Sequence, residues 1–449
     1  MPTWSGPVVA ISAATLVACG SAAGTPPAPT RAHGATSVDS AQESDPRGAG
    51  AVDTAPGLDP ASDHGAPSET YPAFTPDVGQ LVDNKGGFLQ KPVIVTVTWP
   101  NESNADAYEN FGDRIGSSAY WQAAVGEYGV GPASSGASNH VRIKTAPPAS
   151  FTTDELDRFV ATSASAAHRA ASSWPAPTGQ SIYTLYLPVG TKLDMGGGQD
   201  ACAIRVGGYH QSTQIDGQEI AYAVIPQCTS NSLDASTRSA SHEIGETATD
   251  PHPSLDAGWT GFDDNHWAWE LFQDRQTENG DMCEFYKDSY YQNTEPNFPF
   301  QVQRLWSNKS ASAGHAPCTP APSGAYFNVT PLALANVTLD MSDLGGSAKQ
   351  STRGYHVAVG DTRTIPLGFY SDAPETAWSL EAVEGSPFGK PPATPKLSLS
   401  LDRTRGRNGE KAHLTVKVLA RGTSKGELVT LVSSDGAVQH YMPIMIGSM

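Results

Sequence analysis

The sequence predicts an α+β protein in which a mixed α/β domain is followed by a β-sandwich. Strand-like and helix-like segments succeed one another between residues 92 and 249. From about residue 325, short alternating segments separated by Gly, Asp and Pro replace them. With 44 Gly, 35 Pro and 16% charged residues, the composition excludes a coiled coil or a helical bundle.

The N-terminal 70 residues predict an exported protein. The apolar stretch from Val8 to Ala18 is too short to cross a bilayer and is typical of a signal peptide. The segment LVACG at residues 16–20 is similar to the lipobox of bacterial lipoproteins, which predicts residues 1–19 as a signal peptide ending in a lipidated Cys19. No Lys or Arg precedes the stretch, so the usual positive charge of a signal peptide is missing and the true start stays open. An ordinary secretory signal with a free cysteine is the alternative interpretation. Residues 20–70 have almost no large apolar side chain, which predicts a disordered stalk.

The next domain, residues 71–322, is expected to mix strands and helices. A β-branched run over residues 92–99 predicts a buried strand, and Thr152 with Glu155 forms the pattern of a helix capping box. The predicted helices cover residues 104–128, 152–172 and 234–249, and the further strands cover 181–187, 203–210 and 219–225. Residues 250–322 have little periodicity, which predicts a long structured loop region.

Residues 323–449 predict an immunoglobulin-like β-sandwich. About seven strands are expected, over residues 326–339, 355–370, 378–383, 396–401, 411–419, 427–433 and 438–446. This domain offers no catalytic set of residues, and by analogy with other sandwiches it would act as a spacer or a binding module.

The cysteines beyond Cys19 number four, which in an exported chain predicts two disulfides. We favour Cys202 with Cys228 and Cys283 with Cys318, because each pair brackets one compact stretch. A four-thiolate zinc site is the rival interpretation, but no CxxC pair supports it.

The net charge of −18 argues against nucleic acid as a partner and favours a divalent cation. Between Glu243 and Glu284 the chain has eleven acidic residues and one basic residue, Arg275. Such a run is often a solvated surface. Here large apolar side chains interleave the acids, which a solvated surface would not need; they include Trp259, Trp267, Trp269, Leu271, Phe272 and Phe285.

The sequence SHEIGETATDP at residues 241–251 contains the most informative motif. On a helix, His242 and Glu246 lie on one face, where both could bind one ion. Glu243 is offset by about 100° and could take a proton from metal-bound water. This arrangement is that of an HExxH metallopeptidase helix with Glu in place of the second His, and it predicts zinc, with calcium as an alternative in the acidic loops.

A catalytic zinc ion needs a third protein ligand, and four candidates stay open. Glu278 and Asp281 flank a turn next to Cys283, which could bring either carboxylate over the helix. His252 and His210 are the other two candidates. Asp250 precedes a proline and is interpreted as the residue that ends the helix.

Five segments together resemble the EXORDIUM/phosphate-induced protein family and its bacterial relatives. They are HEIGETATDP at 242–251, ENGDMC at 278–283, FQVQRLWSN at 300–308, GYH at 208–210 and YAVIPQC at 222–228. The resemblance covers roughly residues 88–320 and implies a secreted zincin-like domain centred on His242, Glu243 and Glu246. It leaves open whether such a site cleaves anything. The segment between Pro251 and Glu278 is longer than the resemblance leads us to expect, which bears on substrate access.

The sequence therefore predicts a lipid-anchored or secreted, extracytoplasmic metallopeptidase of the bacterial envelope, acting as a monomer on a peptide or cell-wall substrate. In this hypothesis His242 and Glu246 hold zinc with a carboxylate from residues 278–281, and Glu243 activates water. The alternative is a non-catalytic surface protein in which metal stabilises the fold and the sandwich binds polysaccharide or protein. A glycoside hydrolase is disfavoured, because carboxylates one or three residues apart on one helix do not flank a sugar ring.

Overall fold

The structure is a computed structural model and describes residues 63–228, 232–273, 277–340, 349–389, 392–422 and 426–447. The predicted signal peptide, Cys19 and the stalk up to residue 62 lie outside this part of the chain, as does Arg275. The mixed α+β class is confirmed. Within the described residues, the helices are too short or too polar for any of them to cross a membrane.

Nine α-helices occur in the described residues. They are α1 Ala105–Ile115, α2 Ala119–Val125, α3 Thr153–Ser163, α4 Ala166–Arg169, α5 Ala201–Ile204, α6 Leu233–Thr249, α7 Trp267–Phe272, α8 Asp281–Glu284 and α9 Asn308–Ser312. The strands before the sandwich are β1 Leu81–Asp83, β2 Val93–Thr98, β3 His140–Arg142, β4 Ser150–Thr152, β5 Ser181–Leu187, β6 Lys192–Asp194, β7 Tyr209–Ile215, β8 Gln218–Pro226, β9 Trp259–Phe262, β10 Tyr290–Gln292, β11 Gln301–Gln303, β12 Leu305–Trp306 and β13 Cys318–Thr319. The sandwich strands are β14 Phe327–Pro331, β15 Ala335–Leu339, β16 Gln350–His356, β17 Thr362–Ser371, β18 Trp378–Glu384, β19 Leu397–Leu401, β20 Arg405–Gly406, β21 Lys411–Val418, β22 Gly426–Asp435 and β23 Val438–Gly447.

A five-stranded sheet forms the centre of the first domain, in the order β3-β2-β5-β8-β7. Its strands pair in parallel except β7, which is antiparallel to β8. On β2, Ile94 packs in one apolar cluster with α1 and α6, whereas Val95 and Val97 pack in another with α3. Because helices cover both faces of the sheet, the side chains that point to either face are buried. This explains the nearly continuous apolar run of β2.

Two predicted helices are shorter than the periodicity suggested. Residues 104–128 form α1 and α2, separated at Gly116 and followed by a 3₁₀ turn. The capping box at Thr152 forms as predicted, but α3 ends at Ser163. The predicted strand at 203–210 is wrong over most of its length. Asp200 caps the short helix α5 there by accepting a hydrogen bond from the amide of Cys202, and β7 begins only at Tyr209.

Helix α6 packs against the central sheet and, at Gly245, lies close to β12. Ser232 caps its N-terminus by accepting a hydrogen bond from Ala235, and Asp250 ends it, as the sequence indicated. Gly245 lies under Leu305, whose Cδ1 would be 2.4 Å from any Cβ added at that position. A glycine is therefore what allows β12 to approach the helix, and this contact places α6 against the segment that follows residue 250.

Residues 250–322 form short elements rather than one loop, and their aromatic side chains join the two domains. The ring centroids of Trp269 and Trp306 lie 5.4 Å apart, and those of Phe272 and Tyr441 of the sandwich lie 5.6 Å apart. Trp269 is 2% exposed. Helix α7, which lies in the long segment between Pro251 and residue 278, therefore packs against the sandwich and accounts for part of the length of that segment.

The C-terminal domain consists of two packed sheets. One has four strands in the order β14-β17-β21-β19, and the other has six in the order β15-β16-β23-β22-β18-β20. Trp378 packs between them, with its ring centroid 5.2 Å from that of Phe327 and 5.6 Å from that of Phe369. Residues 326–339 and 355–370 were each predicted as one strand. Each region instead contributes strands to both sheets, and together with the additional short strand β20 this gives ten described strands where about seven were predicted.

The prediction of a disordered stalk over residues 20–70 is wrong for residues 63–70, which pair with the sandwich. Gly65 forms an antiparallel bridge with Glu410, and the amide of Ser68 donates to the carbonyl of Asn408 over 2.8 Å. The Asn408 side-chain amide donates in turn to the carbonyls of Ser68 and Thr70. Residues 63–70 therefore lie along the sandwich. Backbone hydrogen bonding holds them there, which a composition poor in apolar residues does not reveal.

The two disulfides join Cys202 to Cys228 and Cys283 to Cys318, the pairing favoured from the sequence. Two disulfides indicate an extracytoplasmic or secreted protein, because cytosolic thiols are kept reduced. The second bond ties the end of helix α8 to β13, and this fixes the turn that precedes α8.

Candidate metal centre

The His242–Glu246 pair lies on the face of α6 that is turned toward the α8 turn. The two side chains converge, with His242 Nε2 3.1 Å from Glu246 Oε1. Asp281, at the start of α8, brings its Oδ1 to 3.6 Å from the same His242 nitrogen. One nitrogen and two carboxylate oxygens therefore point into one small volume.

The turn before α8 also fixes Glu246 directly. The amides of Gly280 and Asp281 donate to Glu246 Oε1 over 3.1 and 3.0 Å. A Cβ at Gly280 would lie 2.7 Å from that same oxygen and 2.9 Å from the His242 ring. The close approach of turn and helix therefore requires glycine at this position, which gives the ENGDMC segment a structural reason.

His210, on β7, contacts the cluster with both of its ring nitrogens, and each nitrogen faces different carboxylates. Its Nδ1 lies 3.6 Å from Glu243 Oε2 and 3.7 Å from Glu246 Oε2, whereas its Nε2 lies 3.5 Å from Glu278 Oε1. The two nitrogens of one ring point in different directions and cannot bind the same ion. His210, Glu246 and Glu278 form a second triad, but the atoms of the His242 triad converge better.

Gln303 on β11 is a residue of the centre to which the sequence analysis assigned no role. Its Oε1 lies 3.0 Å from His242 Nδ1, and its Nε2 donates to the carbonyl of Gly280 over 2.6 Å. Its backbone amide donates to Ser241 Oγ over 2.9 Å. With His242 Nδ1–H donating to the amide oxygen, Nε2 is left to bind an ion, an arrangement common around metal-binding histidines.

The carboxyl groups and imidazoles of the cluster shift one another's pKa. Burial raises the pKa of Glu278 well above its usual range, with Glu246 adding to the effect, and burial likewise raises that of Asp281. Burial would lower the pKa of His242, but Glu246, Glu243 and Asp281 together outweigh it and raise that pKa well above the ordinary value. Burial would raise the pKa of Glu246, but His242, His210 and the Asp281 amide together outweigh it, and that pKa is lowered.

The donor set fits a divalent transition-metal ion. Four carboxyl groups, from Glu243, Glu246, Glu278 and Asp281, surround two imidazoles, so the acidic groups outnumber the basic ones by two. Glu278 Oε1 is buried without a hydrogen-bond partner. Imidazole with carboxylate suits zinc, whereas calcium takes oxygen ligands alone. The separations of 3.1 and 3.6 Å match the roughly 3.3 Å between ligand atoms around a tetrahedral zinc ion.

Glu243 lies on the buried side of the centre. It is 5% exposed, and a Cβ at Gly208 would be 2.6 Å from its carboxylate. Burial raises its pKa, which suits a carboxylate that accepts a proton near neutral pH. The side chains of His242 and Asp281, 12% and 15% exposed, form the part of the cluster that reaches the surface.

The remaining candidates lie elsewhere or have structural roles. His252 belongs to no group of converging metal-ligand atoms within the described residues. Asp250 is buried and accepts a hydrogen bond from the amide of Gly258 over 2.8 Å, and its carbonyl oxygen lies 3.2 Å from His210 Nε2. The acidic run is therefore not one solvated surface, because four of its members, Glu243, Glu246, Glu278 and Asp281, lie in this largely buried cluster.

Comparison with known proteins does not assign the chain to a family. No family model matches it, and no curated protein matches it. Among solved structures, a chimeric titin Z1Z2 is 13% identical with a TM-score of 0.16, over 26% of this chain and 98% of that chain. A titin M10–obscurin-like 1 Ig complex is 14% identical with a TM-score of 0.14, over 21% and 85%. The twitchin kinase region from C. elegans is 14% identical with a TM-score of 0.15, over 21% and 15%. TM-scores this low support no conclusion about fold or function.

Proposed function

We propose that this chain is an extracytoplasmic zinc-dependent metallopeptidase of the HExxE type. In this proposal it is a bacterial relative of the EXORDIUM/phosphate-induced proteins, with a zincin-like first domain, an immunoglobulin-like sandwich and a lipid anchor at Cys19. The observation that carries it is the convergence of His242 Nε2 with a carboxylate oxygen of Glu246 and of Asp281, at 3.1 and 3.6 Å. The family resemblance supports it, because the HEIGE, GYH and ENGDMC segments all contribute to one cluster.

In the proposed reaction, His242, Glu246 and Asp281 hold the zinc ion. Zinc bound there would supply a water of lowered pKa and polarise a peptide carbonyl. The Glu243 carboxylate takes the proton from the attacking water and returns it to the leaving amine. His210 Nδ1, 3.6 Å from Glu243 Oε2, holds that carboxylate in place. Gln303 keeps the His242 ring in the tautomer that leaves Nε2 for the ion.

The decisive experiment compares the mature protein with Glu243→Gln, with Glu381→Gln on the exposed face of β18 as the control. Zinc content is measured by elemental mass spectrometry, and cleavage is measured with a peptide library. We expect all three proteins to carry zinc and Glu243→Gln to cleave at least about 100-fold more slowly. Wild-type cleavage by Glu243→Gln, or a wild-type protein without metal, would refute the proposal.

A second candidate function is favoured by the burial of Glu243, which is 5% exposed. In this alternative the metal only stabilises the fold, and the protein binds a cell-surface polysaccharide or protein through its sandwich. Chelation should then lower the melting temperature while no peptide is cleaved, and glycan binding should survive Glu243→Gln. The same peptide library therefore decides between the two.

A further inference from the structure

A second cluster of metal-ligand side chains lies far from α6, where residues 63–70 meet the sandwich. His64 Nε2 and His413 Nδ1 lie 3.3 and 2.8 Å from the same oxygen, Asp402 Oδ2. All three ligand atoms lie within 4.8 Å of one another. None of these residues belongs to the proposed zinc centre, so the cluster is independent of that proposal.

Two of the three side chains are held rigidly by the sandwich. The amide of His413, on β21, donates to Asp402 Oδ1 over 2.7 Å, and the amide of Asp402 donates back to the carbonyl of His413 over 3.1 Å. Asp402 Oδ1 is thus occupied, and Oδ2 is presented to the two rings. The His413 side chain is only 6% exposed, so its imidazole is fixed before any ion binds.

His64 completes the cluster from the other end of the chain. The amide of Lys411 donates to the carbonyl of His64 over 2.7 Å, next to the backbone bridge at Gly65. The Lys411 ammonium lies 2.5 Å from Asp63 Oδ2, so this carboxylate offsets the positive charge of Lys411. The side chains of His64 and Asp402 are 39% and 27% exposed, which leaves the cluster open to ions and water from solvent.

We propose that His64, Asp402 and His413 form a second metal site, selective for zinc or a similar transition-metal ion, which fastens residues 63–70 to the sandwich. Two imidazoles and one carboxylate form a ligand set that suits these ions and not calcium or magnesium. The ligands come from segments 338 residues apart in sequence. Binding therefore stabilises the docked position of residues 63–70 on the sandwich.

The first test counts zinc in the full mature chain after chelation, reconstitution and desalting. His64→Ala and Asp402→Asn should each carry one zinc ion fewer than the wild type. Asp402→Asn keeps the side-chain oxygen that accepts from the His413 amide, so it preserves the fold. The control is His315→Ala, since His315 forms a similar ion pair with Asp372 at 3.1 Å but belongs to no group of converging metal-ligand atoms in the part of the chain that the structure describes. The zinc content of each variant is subtracted from that of the wild type. This difference can be interpreted whether or not the α6 centre holds an ion.

The second test measures hydrogen exchange of a peptide spanning residues 63–71 with and without zinc. At free zinc about ten times the dissociation constant, exchange should slow about tenfold in the wild type and in His315→Ala. It should not change in His64→Ala. Equal zinc content and equal exchange in His64→Ala and the wild type would overturn the proposal, and would leave the cluster as two histidines hydrogen-bonded to one carboxylate.

Discussion

Replacing Gln303 with leucine should weaken zinc binding although Gln303 is not itself a ligand. The leucine removes the 3.0 Å contact with His242 Nδ1 and the 2.6 Å hydrogen bond to the Gly280 carbonyl. Gly280 in turn donates to Glu246, so two of the three proposed ligands lose support. Loss of such a partner typically costs 10- to 100-fold in metal affinity, or about 1.4–2.8 kcal/mol. Because two ligands are affected, we expect the upper end of that range.

The assay is a competition titration of chelator-stripped protein against a fluorescent zinc chelator, at a temperature where circular dichroism shows the variants folded. The Gly280 carbonyl keeps the Cys283 amide as a donor over 3.1 Å, so the lost hydrogen bond should cost only about 0.5–1.5 kcal/mol in the free energy of unfolding. The control is Gln301→Leu on the same strand, whose side chain contacts Gln292 at the surface and which should bind zinc like the wild type. A folded Gln303→Leu protein with wild-type affinity would show that His242 is not the oriented ligand described here.

Two further predictions concern stability. Gly245→Ala should lower the free energy of unfolding by about 1–3 kcal/mol, because its Cβ would lie 2.4 Å from Leu305 Cδ1. In urea denaturation, Gly245→Ala should lower the free energy of unfolding less in a Leu305→Val background than in the wild type. A Gly245→Ala protein as stable as the wild type would contradict this packing. Burial opposes protonation of His266, but Asp263 and Asp77 raise its pKa from 6.5 to about 9. The ion pairs of protonated His266 with these two carboxylates stabilise the folded state fully below about pH 6.5, and this stabilisation is lost as the pH rises through 9. The stability difference between wild type and His266→Gln, at most about 3 kcal/mol, should therefore shrink from pH 6 to pH 10, and a constant difference would count against this assignment.

The sequence was informative where the structure depends on local spacing. The i, i+4 arrangement of His242 and Glu246 follows from helix geometry alone. The disulfide pairing was predicted because each pair of cysteines encloses one compact stretch of sequence. The mixed α+β class was equally accessible, because buried strands and capped helices have local signatures.

Contacts between distant segments were not accessible in the same way. Gln303 reaches His242 from a short strand 61 residues later, and no periodicity marks it. His210 was one of four open candidates, since nothing local shows that β7 passes beside α6. The pairing of residues 63–70 with the sandwich depends on backbone hydrogen bonds, which any composition can form.

The central claim is that one ion is bound jointly by His242, Glu246 and Asp281. Anomalous diffraction from crystals of the zinc-loaded protein, recorded on both sides of the zinc absorption edge, tests it most directly. The account predicts a peak about 2.0–2.2 Å from His242 Nε2 and from one carboxylate oxygen of each acid. A peak bound by His210 and Glu278 instead, or no peak within this cluster, would contradict it.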